Sequence, residues 1–229
     1  MVVAFTSRVI ERRNLTKDVV LFSLACPDTF TFKPGQFVSL KIKNNDVTRP
    51  RSYSILNPPS IRGRLELCIK IVEGGFASEI FSGVQVGYEF EVRGPFGHFV
   101  FDEESSLQEQ VFIGTGTGVA PFYSMLFEYV PKMAQTKFTL LFGVRSKEGL
   151  FLHEDFERLA LEHSNFTYVP TLSREEWQGK MGRVQAHIGE EVFGRVFYIC
   201  GLKEMVGETK QLLEAKGVLA ANIHVERYN

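Results

Sequence analysis

The chain has 229 residues, 44% of them hydrophobic and 23% charged, and a formal net charge of −1. That length fits one large or two modest domains with a sizeable core, and a near-neutral balance excludes a general nucleic-acid binder. Three scattered cysteines, Cys26, Cys68 and Cys200, give no disulfide framework and no paired-thiolate metal site, so no metal is expected, and four-thiolate iron–sulfur ligation is excluded by count. No apolar run approaches the roughly 20 residues of a membrane span. The N-terminal "MVVAFTSRVIERR" lacks the apolar segment of an export signal. The expectation is a soluble, cytoplasmic, monomeric protein.

Residues 1–100 read as β structure. The segments 19–26, 36–42, 51–56, 64–72 and 88–94 are short and rich in β-branched or aromatic residues. Turn signals separate them: Lys33-Pro-Gly35, Asn57-Pro-Pro59, Gly74-Gly75 and Gly94-Pro-Phe-Gly97. Short strands at this spacing predict a small antiparallel barrel. One segment differs, "FASEIFSGV" at 76–84, which predicts a short helix just after two glycines.

From about residue 111 strands and helices alternate. "VFI" runs into "VAPFYSMLFEYV", 138–144 into "HEDFERLALEH", and 196–201 into "EMVGETKQLLEAKG", with 166–172 a further strand. In the last helix Met205, Thr209, Leu212 and Leu213 share a stripe, and Gly217 suits the C-terminal cap. Such alternation predicts a doubly wound parallel sheet. The expected domains are 1–102 and 108–229, joined at the acidic loop 102–110.

"GTGTGVAPF" (114–122) sits between a strand and a helix. A turn without side chains lets backbone approach a ligand, and the helix N-terminus that follows offers free N–H groups to an anion. Pro121 suits the first turn. The segment is not the strict G-x-G-x-x-G dinucleotide fingerprint, and the chain has no G-x-x-x-x-G-K-[ST] loop.

Taken with "RSYS" (51–54), "GPFGHF" (94–99), "FGVRS" (142–146), "SRE" (173–175), "CG" (200–201) and "HVERY" (224–228), in this order, the sequence resembles the ferredoxin–NADP reductase family along essentially its whole length. The resemblance implies an N-terminal FAD-binding antiparallel barrel of six strands with a short helix and a C-terminal α/β nicotinamide-nucleotide domain. It also implies a flavoenzyme in which hydride passes from NADPH to FAD.

Site residues follow from the same resemblance. On the flavin side Arg51 would pair with the FAD pyrophosphate, Ser52 would share its strand, Tyr53 would lie against flavin and ribityl chain, and Ser54 would hydrogen-bond near flavin N5. The second flavin element is Gly75, Phe76, Ala77 and Ser78, with the backbone of Cys68, Ile69 and Lys70 flanking the ribityl chain. Thr117 is counted with both cofactors. Phe99 would cover adenine or pack in the core. On the nucleotide side Gly116, Thr117, Gly118 and Gly201 would cradle the nucleotide. Arg145, Ser146, Ser173, Arg174 and Arg183 suit a ribose phosphate, since cations and hydroxyls at strand ends recognise that group. Trp177-x-Gly179 does not discriminate NADPH from NADH. Ser54, Cys200, Glu226 and Tyr228 would form the reaction centre, Cys200 touching nicotinamide and Tyr228 stacking on flavin. Here Asn229 follows Tyr228, a departure from the family pattern that puts the stacking in question.

The expected acceptor is a separate acidic carrier, ferredoxin or flavodoxin, or an oxygenase component. The alternatives are a reductase of free flavin or a small oxidant, and an FAD-bearing electron-transfer subunit of a larger complex. Residues 41–70 carry Lys41, Lys43, Arg49, Arg51, Arg62, Arg64 and Lys70 against Asp46 and Glu66, while 71–110 are acidic. This basic segment includes the flavin motif and is a candidate face for an acidic partner.

Overall fold

The protein is described here by a computed structural model covering residues 1–228. Its chain divides into two units: Met1–Phe101 with Tyr123–Glu128, and the rest from Asp102 onward.

In the first unit six antiparallel strands form one sheet in the order β4-β3-β6-β1-β2-β5. They are β1 (Val3–Asn14), β2 (Val19–Ala25), β3 (Phe37–Asn44), β4 (Val47–Ser54), β5 (Arg64–Lys70) and β6 (Glu89–Phe96). The edge strands β4 and β5 come into contact, curling the sheet as a barrel requires. The helix α1 (Phe76–Gly83) falls where the sequence predicts it. It drives Phe81 into the barrel, where the ring lies 5.5 Å from each of Phe22, Phe90 and Tyr53. Phe81 is fully buried, a burial that contributes roughly 1.5–3 kcal/mol. The strand β1 is not among the segments expected from sequence. Its first half alternates, with Ser7 and Val9 buried and Thr6 and Arg8 exposed. A register shift between Val9 and Glu11 then interrupts the pattern, just where Glu11, Arg12 and Arg13 dilute the apolar signal.

The second unit is a six-stranded parallel sheet in the order β10-β9-β8-β7-β11-β12. The strands are β7 (Glu109–Thr115), β8 (Lys137–Val144), β9 (Phe166–Leu172), β10 (Lys180–Met181), β11 (Arg195–Leu202) and β12 (Ile223–Tyr228). The helices are α2 (Ala120–Tyr129), α3 (His153–Glu162) and α4 (Lys203–Ala215). Strand order reverses between β7 and β11, which defines the crevice where ligands bind in open α/β sheets. Four rings cross the sheet as a ladder. Phe138, Phe112, Tyr198 and His224 stack at centroid separations of 6.3, 4.9 and 4.8 Å. The Asp102 N–H donates to the Tyr198 hydroxyl at 3.1 Å. Helix α4 seats Val206, Thr209 and Leu213 in the core and ends at Gly217, φ +87°, with the Val218 N–H donating to the Leu213 carbonyl at 3.0 Å. The strands β10 and β12 are additions to the expected set: one has two residues, and the other is the segment "HVERY" with Ile223 before it.

Candidate functional site

The flavin motif occupies the end of β4, paired with β3 so that Phe37 faces Ser54, Val38 faces Tyr53 and Ser39 faces Ser52. Arg51 and Tyr53 lie on one side of the strand, as alternation predicts, and Ile55 follows the strand's last residue, Ser54. Ile55 is core, and Tyr53 is a half-buried ring edge-on to Phe81. Burial, offset in part by Arg51, pushes the Tyr53 phenol up to about 12. Ser54 is buried and Ser52 exposed. The Arg51 Nη1 donates to the Pro50 carbonyl at 3.0 Å, and its guanidinium lies 5.4 Å from the centre of the Phe76 ring.

Phe76 opens α1, so Arg51 stands at the helix N-terminus. A second cation joins it: the Arg49 guanidinium lies 4.8 Å from the same ring. The Asn44 amide donates to the Phe76 carbonyl at 3.2 Å and to Glu79 at 2.6 Å, tying the β3–β4 hairpin to this turn. No side chain among the described residues caps the helix, which leaves its first N–H groups for a ligand. Two guanidinium groups and a bare helix end suit a pyrophosphate, and these residues fit FAD. Gly75 must be glycine: a Cβ there would lie 2.9 Å from both the Ser78 Oγ and the Val72 carbonyl. Ser78 is buried, and its Oγ already accepts from the Val72 N–H at 2.9 Å, so only its proton remains for a phosphate oxygen. Ala77 is half-buried beside it. Cys68 and Ile69 are buried at the end of β5, and Lys70 lies 3.5 Å from Asp18. Phe99 is buried.

The next turn is held by Asn57, which the sequence offers only as part of a turn signal. Asn57 is fully buried. Its amide donates to the carbonyls of Ile61 at 3.2 Å and Arg64 at 3.1 Å, and its Oδ1 accepts from the Glu66 N–H at 2.8 Å. Its carbonyl accepts from the Ser124 hydroxyl at 2.9 Å. "N-P-P" reads as a turn, but a side chain satisfying this many backbone groups is visible only in the folded loop.

In the second unit the glycine corner closes β7. Gly116 has φ +53° and opens the 3-10 turn Gly116–Val119 that leads into α2. A Cβ on Gly118 would lie 2.5 Å from the Cys200 carbonyl oxygen, and one on Gly201 would lie 2.5 Å from the Thr115 Oγ1. The glycines therefore bring the ends of β7 and β11 together at the switch point. Thr117 is half-buried in this turn. The Thr115 hydroxyl oxygen is buried with no hydrogen-bond partner among the described residues, an unmet polar group that a nucleotide hydroxyl or phosphate would satisfy. Sequence reasoning missed Thr115, although it lies inside the motif.

Cys200 is fully buried at the end of β11. It faces Gly114 on one side and Glu226 on the other. Its thiol donates weakly to the Glu226 carboxylate at 3.9 Å. Burial first, and the Glu226 charge second, push the thiol well above its ordinary range, while a hydrogen bond with Tyr228 opposes them. The parallel register of β11 and β12 thus assembles Cys200, Glu226 and Tyr228 as one group. Asn229 lies outside the described residues.

The cationic residues meet at the carboxyl ends of β8, β9 and β10. The Ser173 N–H donates to the Val144 carbonyl at 3.0 Å and the Arg174 N–H to the Arg145 carbonyl at 2.9 Å. Ser146 follows, half-buried, and Arg183 lies just past β10. Arg145 and Arg174 are exposed, with no side-chain hydrogen bond or ion pair among the described residues. Arg183 differs, its Nη1 lying 3.1 Å from Glu208 on α4. Trp177 donates to the Lys180 carbonyl at 2.6 Å and packs where any Cβ on Gly179 would fall, which accounts for that motif as loop packing.

A flavin-type anion site on an antiparallel barrel, followed by a nucleotide-type switch point on a parallel sheet, defines a two-part flavin and nicotinamide-nucleotide oxidoreductase. Residues 6–101 match the oxidoreductase FAD-binding domain and residues 112–211 the oxidoreductase NAD-binding domain. The chain is 34% identical to ferredoxin–NADP reductase B of Sorangium cellulosum, covering 98% of each. It is also 34% identical to the reductase component of phenol 2-monooxygenase from Pseudomonas sp., covering 86% of this chain and 58% of that one. The crystal structure of the Amycolatopsis cytochrome P450 reductase GcoB superposes with a TM-score of 0.92 at 27% identity, over 99% of this chain and 70% of that one. The chain belongs to the ferredoxin–NADP reductase family.

Proposed function

We propose that the protein is an NADPH-dependent FAD reductase that passes electrons to a separate acidic carrier of the ferredoxin or flavodoxin type, or to an oxygenase component. The observation that supports the nucleotide preference is the meeting of Arg145, Ser173, Arg174 and Arg183 beyond three adjacent strand ends. NADPH differs from NADH by one ribose phosphate, and guanidinium groups recognise that dianion better than a diol. FAD supplies the hydride acceptor and the release of electrons. The chain contributes binding and orientation. Arg51, Arg49 and the N-terminus of α1 hold the pyrophosphate, Ser54 offers its hydroxyl near the flavin ring, and the turn at Gly116–Gly118 carries the nucleotide pyrophosphate. Cys200 packs against the nicotinamide with Glu226 and Tyr228 fixing its thiol. A carrier acceptor is favoured by the near-complete match to the Sorangium reductase. The oxygenase reductases it matches are longer; the chain spans 58% of the phenol-hydroxylating one.

Anaerobic mixing of the yellow protein with NADPH or NADH tests the reading. NADPH should bleach the flavin with the higher kcat/KM, and Arg174→Ala should raise KM for NADPH about tenfold, the scale of one charged hydrogen bond, with NADH nearly untouched. Equal losses with both nucleotides would assign Arg174 to the fold instead. Ferredoxin, flavodoxin and free flavin are then compared as acceptors, and free flavin outpacing both proteins would replace the carrier reading.

A further inference from the structure

Among the described residues, one carboxylate at the cation cluster beyond β8–β10 is paired with an arginine of that cluster. Glu208 on α4 takes Arg183 Nη1 at 3.1 Å through Oε2 and at 3.4 Å through Oε1, and the same Oε2 accepts from the Gln185 amide at 3.1 Å. The acid next to Arg174, Glu175, joins the two loops through the backbone, accepting from the Lys147 N–H at 2.8 Å two residues past Arg145. Arg183 is therefore the one arginine of the three that is neutralised by an acidic partner within the described residues.

We infer that Glu208 is a specificity-determining residue: by occupying Arg183 it weakens the preference for a 2′-phosphorylated nucleotide and keeps the site open to the unphosphorylated one. The inference rests on the proposed reading of the arginines as phosphate-binding. The pair is not explained by stability. Side chains that are 75% and 52% exposed gain little from an ion pair in water, and α4 is anchored by Val206, Thr209 and Leu213 on its other face. What the pair changes is the field at the strand ends. A 2′-phosphate arriving at Arg183 must share the guanidinium with a carboxylate of its own sign. An unphosphorylated ribose presents a 2′-hydroxyl, for which a carboxylate is an acceptor. One residue thus lowers affinity for the first ligand and supports the second.

Glu208→Gln separates charge from positioning, because a glutamine oxygen still accepts from Arg183 and Gln185. Isothermal titration of 2′,5′-ADP and 5′-AMP into the FAD-loaded protein reads the site without turnover. The variant should bind 2′,5′-ADP about two- to fivefold more tightly, the range of one exposed charge pair, while its affinity for 5′-AMP stays level or falls. The gain should shrink as salt rises and vanish in an Arg183→Ala background. Wild-type protein that prefers 2′,5′-ADP, with Glu208→Gln leaving both affinities unchanged or tightening both equally, overturns the inference and leaves the arginine reading standing. Equal binding of the two ligands by wild type and variant alike removes both.

Discussion

Arg49 and Arg51 in the first unit lie 4.8 and 5.4 Å from one aromatic ring, beside a hairpin that Asn44 ties to the same helix turn. Arg145 and Arg174 in the second unit stand exposed at strand ends with no side-chain partner among the described residues. Both sets suit phosphate, but they are prepared differently. Cations already held in place lose little freedom on binding, which suits a cofactor that stays. Exposed arginines must be ordered by each incoming ligand, which suits a nucleotide that arrives and leaves with every turnover. In the backbone the second unit has the tighter approach: a Cβ on Gly118 would lie 2.5 Å from the Cys200 carbonyl oxygen, against 2.9 Å from that of Val72 for one on Gly75.

The largest effect should come from breaking that close approach. Gly118→Ala places a Cβ 2.5 Å from the Cys200 carbonyl oxygen, and backbone on both sides cannot give way cheaply. The expected loss is about 1–3 kcal/mol of stability, read from denaturant midpoints, together with loss of NADPH-driven bleaching. Gly116→Ala meets no atom within 4 Å and suffers only from its φ of +53°, so it should lose about 1–2 kcal/mol and keep its nucleotide. Equal damage at both positions would mean that the corner is strained everywhere and that the approach to β11 is not special.

Next is the held pair of the first unit. Arg51→Ala should weaken FAD retention by about 1.5–3 kcal/mol, the scale of a charged hydrogen bond. Arg49→Ala should weaken it less. Fluorescence of flavin released on dialysis measures both. A protein that stays fully yellow without Arg51 would remove the first unit from the comparison.

Cys200 gives a smaller and sharper test. Cys200→Ala should slow single-turnover flavin reduction about tenfold, through ring alignment, and leave NADPH affinity within a few fold. Burial and the Glu226 charge raise the thiol, so the folded state keeps its proton where the unfolded state releases it. That contribution to stability is complete below the ordinary thiol value of about 8.5, and is lost as pH rises from there toward the folded value. Reduction rates should accordingly show no titration of Cys200 between about pH 6 and 8. A step in that window that disappears in Cys200→Ala would mean a thiolate, and a different role.

How far the sequence carried this picture depends on how local each feature is. The flavin motif, the glycine corner and helices α1, α3 and α4 are legible because alternation, a turn residue or a helical stripe lies within a few positions. The strand β1 escaped because its register shift breaks the alternation. Arg49 was counted only as a charge, since its partner Phe76 is brought to it by the β3–β4 hairpin and α1. Thr115 escaped because a hydroxyl inside a glycine motif looks ordinary until the fold leaves it without a partner. Ion pairs are the least legible of all. Lys41 meets Glu91 and Lys70 meets Asp18 only through strand register, and Arg183 meets Glu208 from a different element.

Those pairings change the smallest of the expected effects, docking of an acidic carrier on the basic segment 41–70. Lys41 lies 2.8 Å from Glu91, Arg64 lies 2.7 Å from Glu66 and Lys70 lies 3.5 Å from Asp18. The charge excess seen in the sequence is partly cancelled in the fold. Arg49 and Arg51 are committed to the ring of Phe76, which leaves Lys43 and Arg62 as exposed cations that a partner can meet without disturbing the flavin site. Complementary charge raises encounter rates more than final affinity. Electron transfer to ferredoxin or flavodoxin should therefore slow steeply once salt shortens the Debye length below about 10 Å, whereas reduction of a neutral dye should follow only the salt dependence of NADPH binding. The ratio of the two rates at each salt level cancels that shared step. Lys43→Glu with Arg62→Glu should lower the carrier rate severalfold and spare the dye rate; Arg64→Glu is a poor probe, because it puts a second acid beside the buried Glu66 and disturbs β5 itself. If carrier and dye respond identically to salt and to the double substitution, the loosely held cations of the first unit do not receive a protein. Reduction of free flavin or a small oxidant then becomes the better account of where the electrons go.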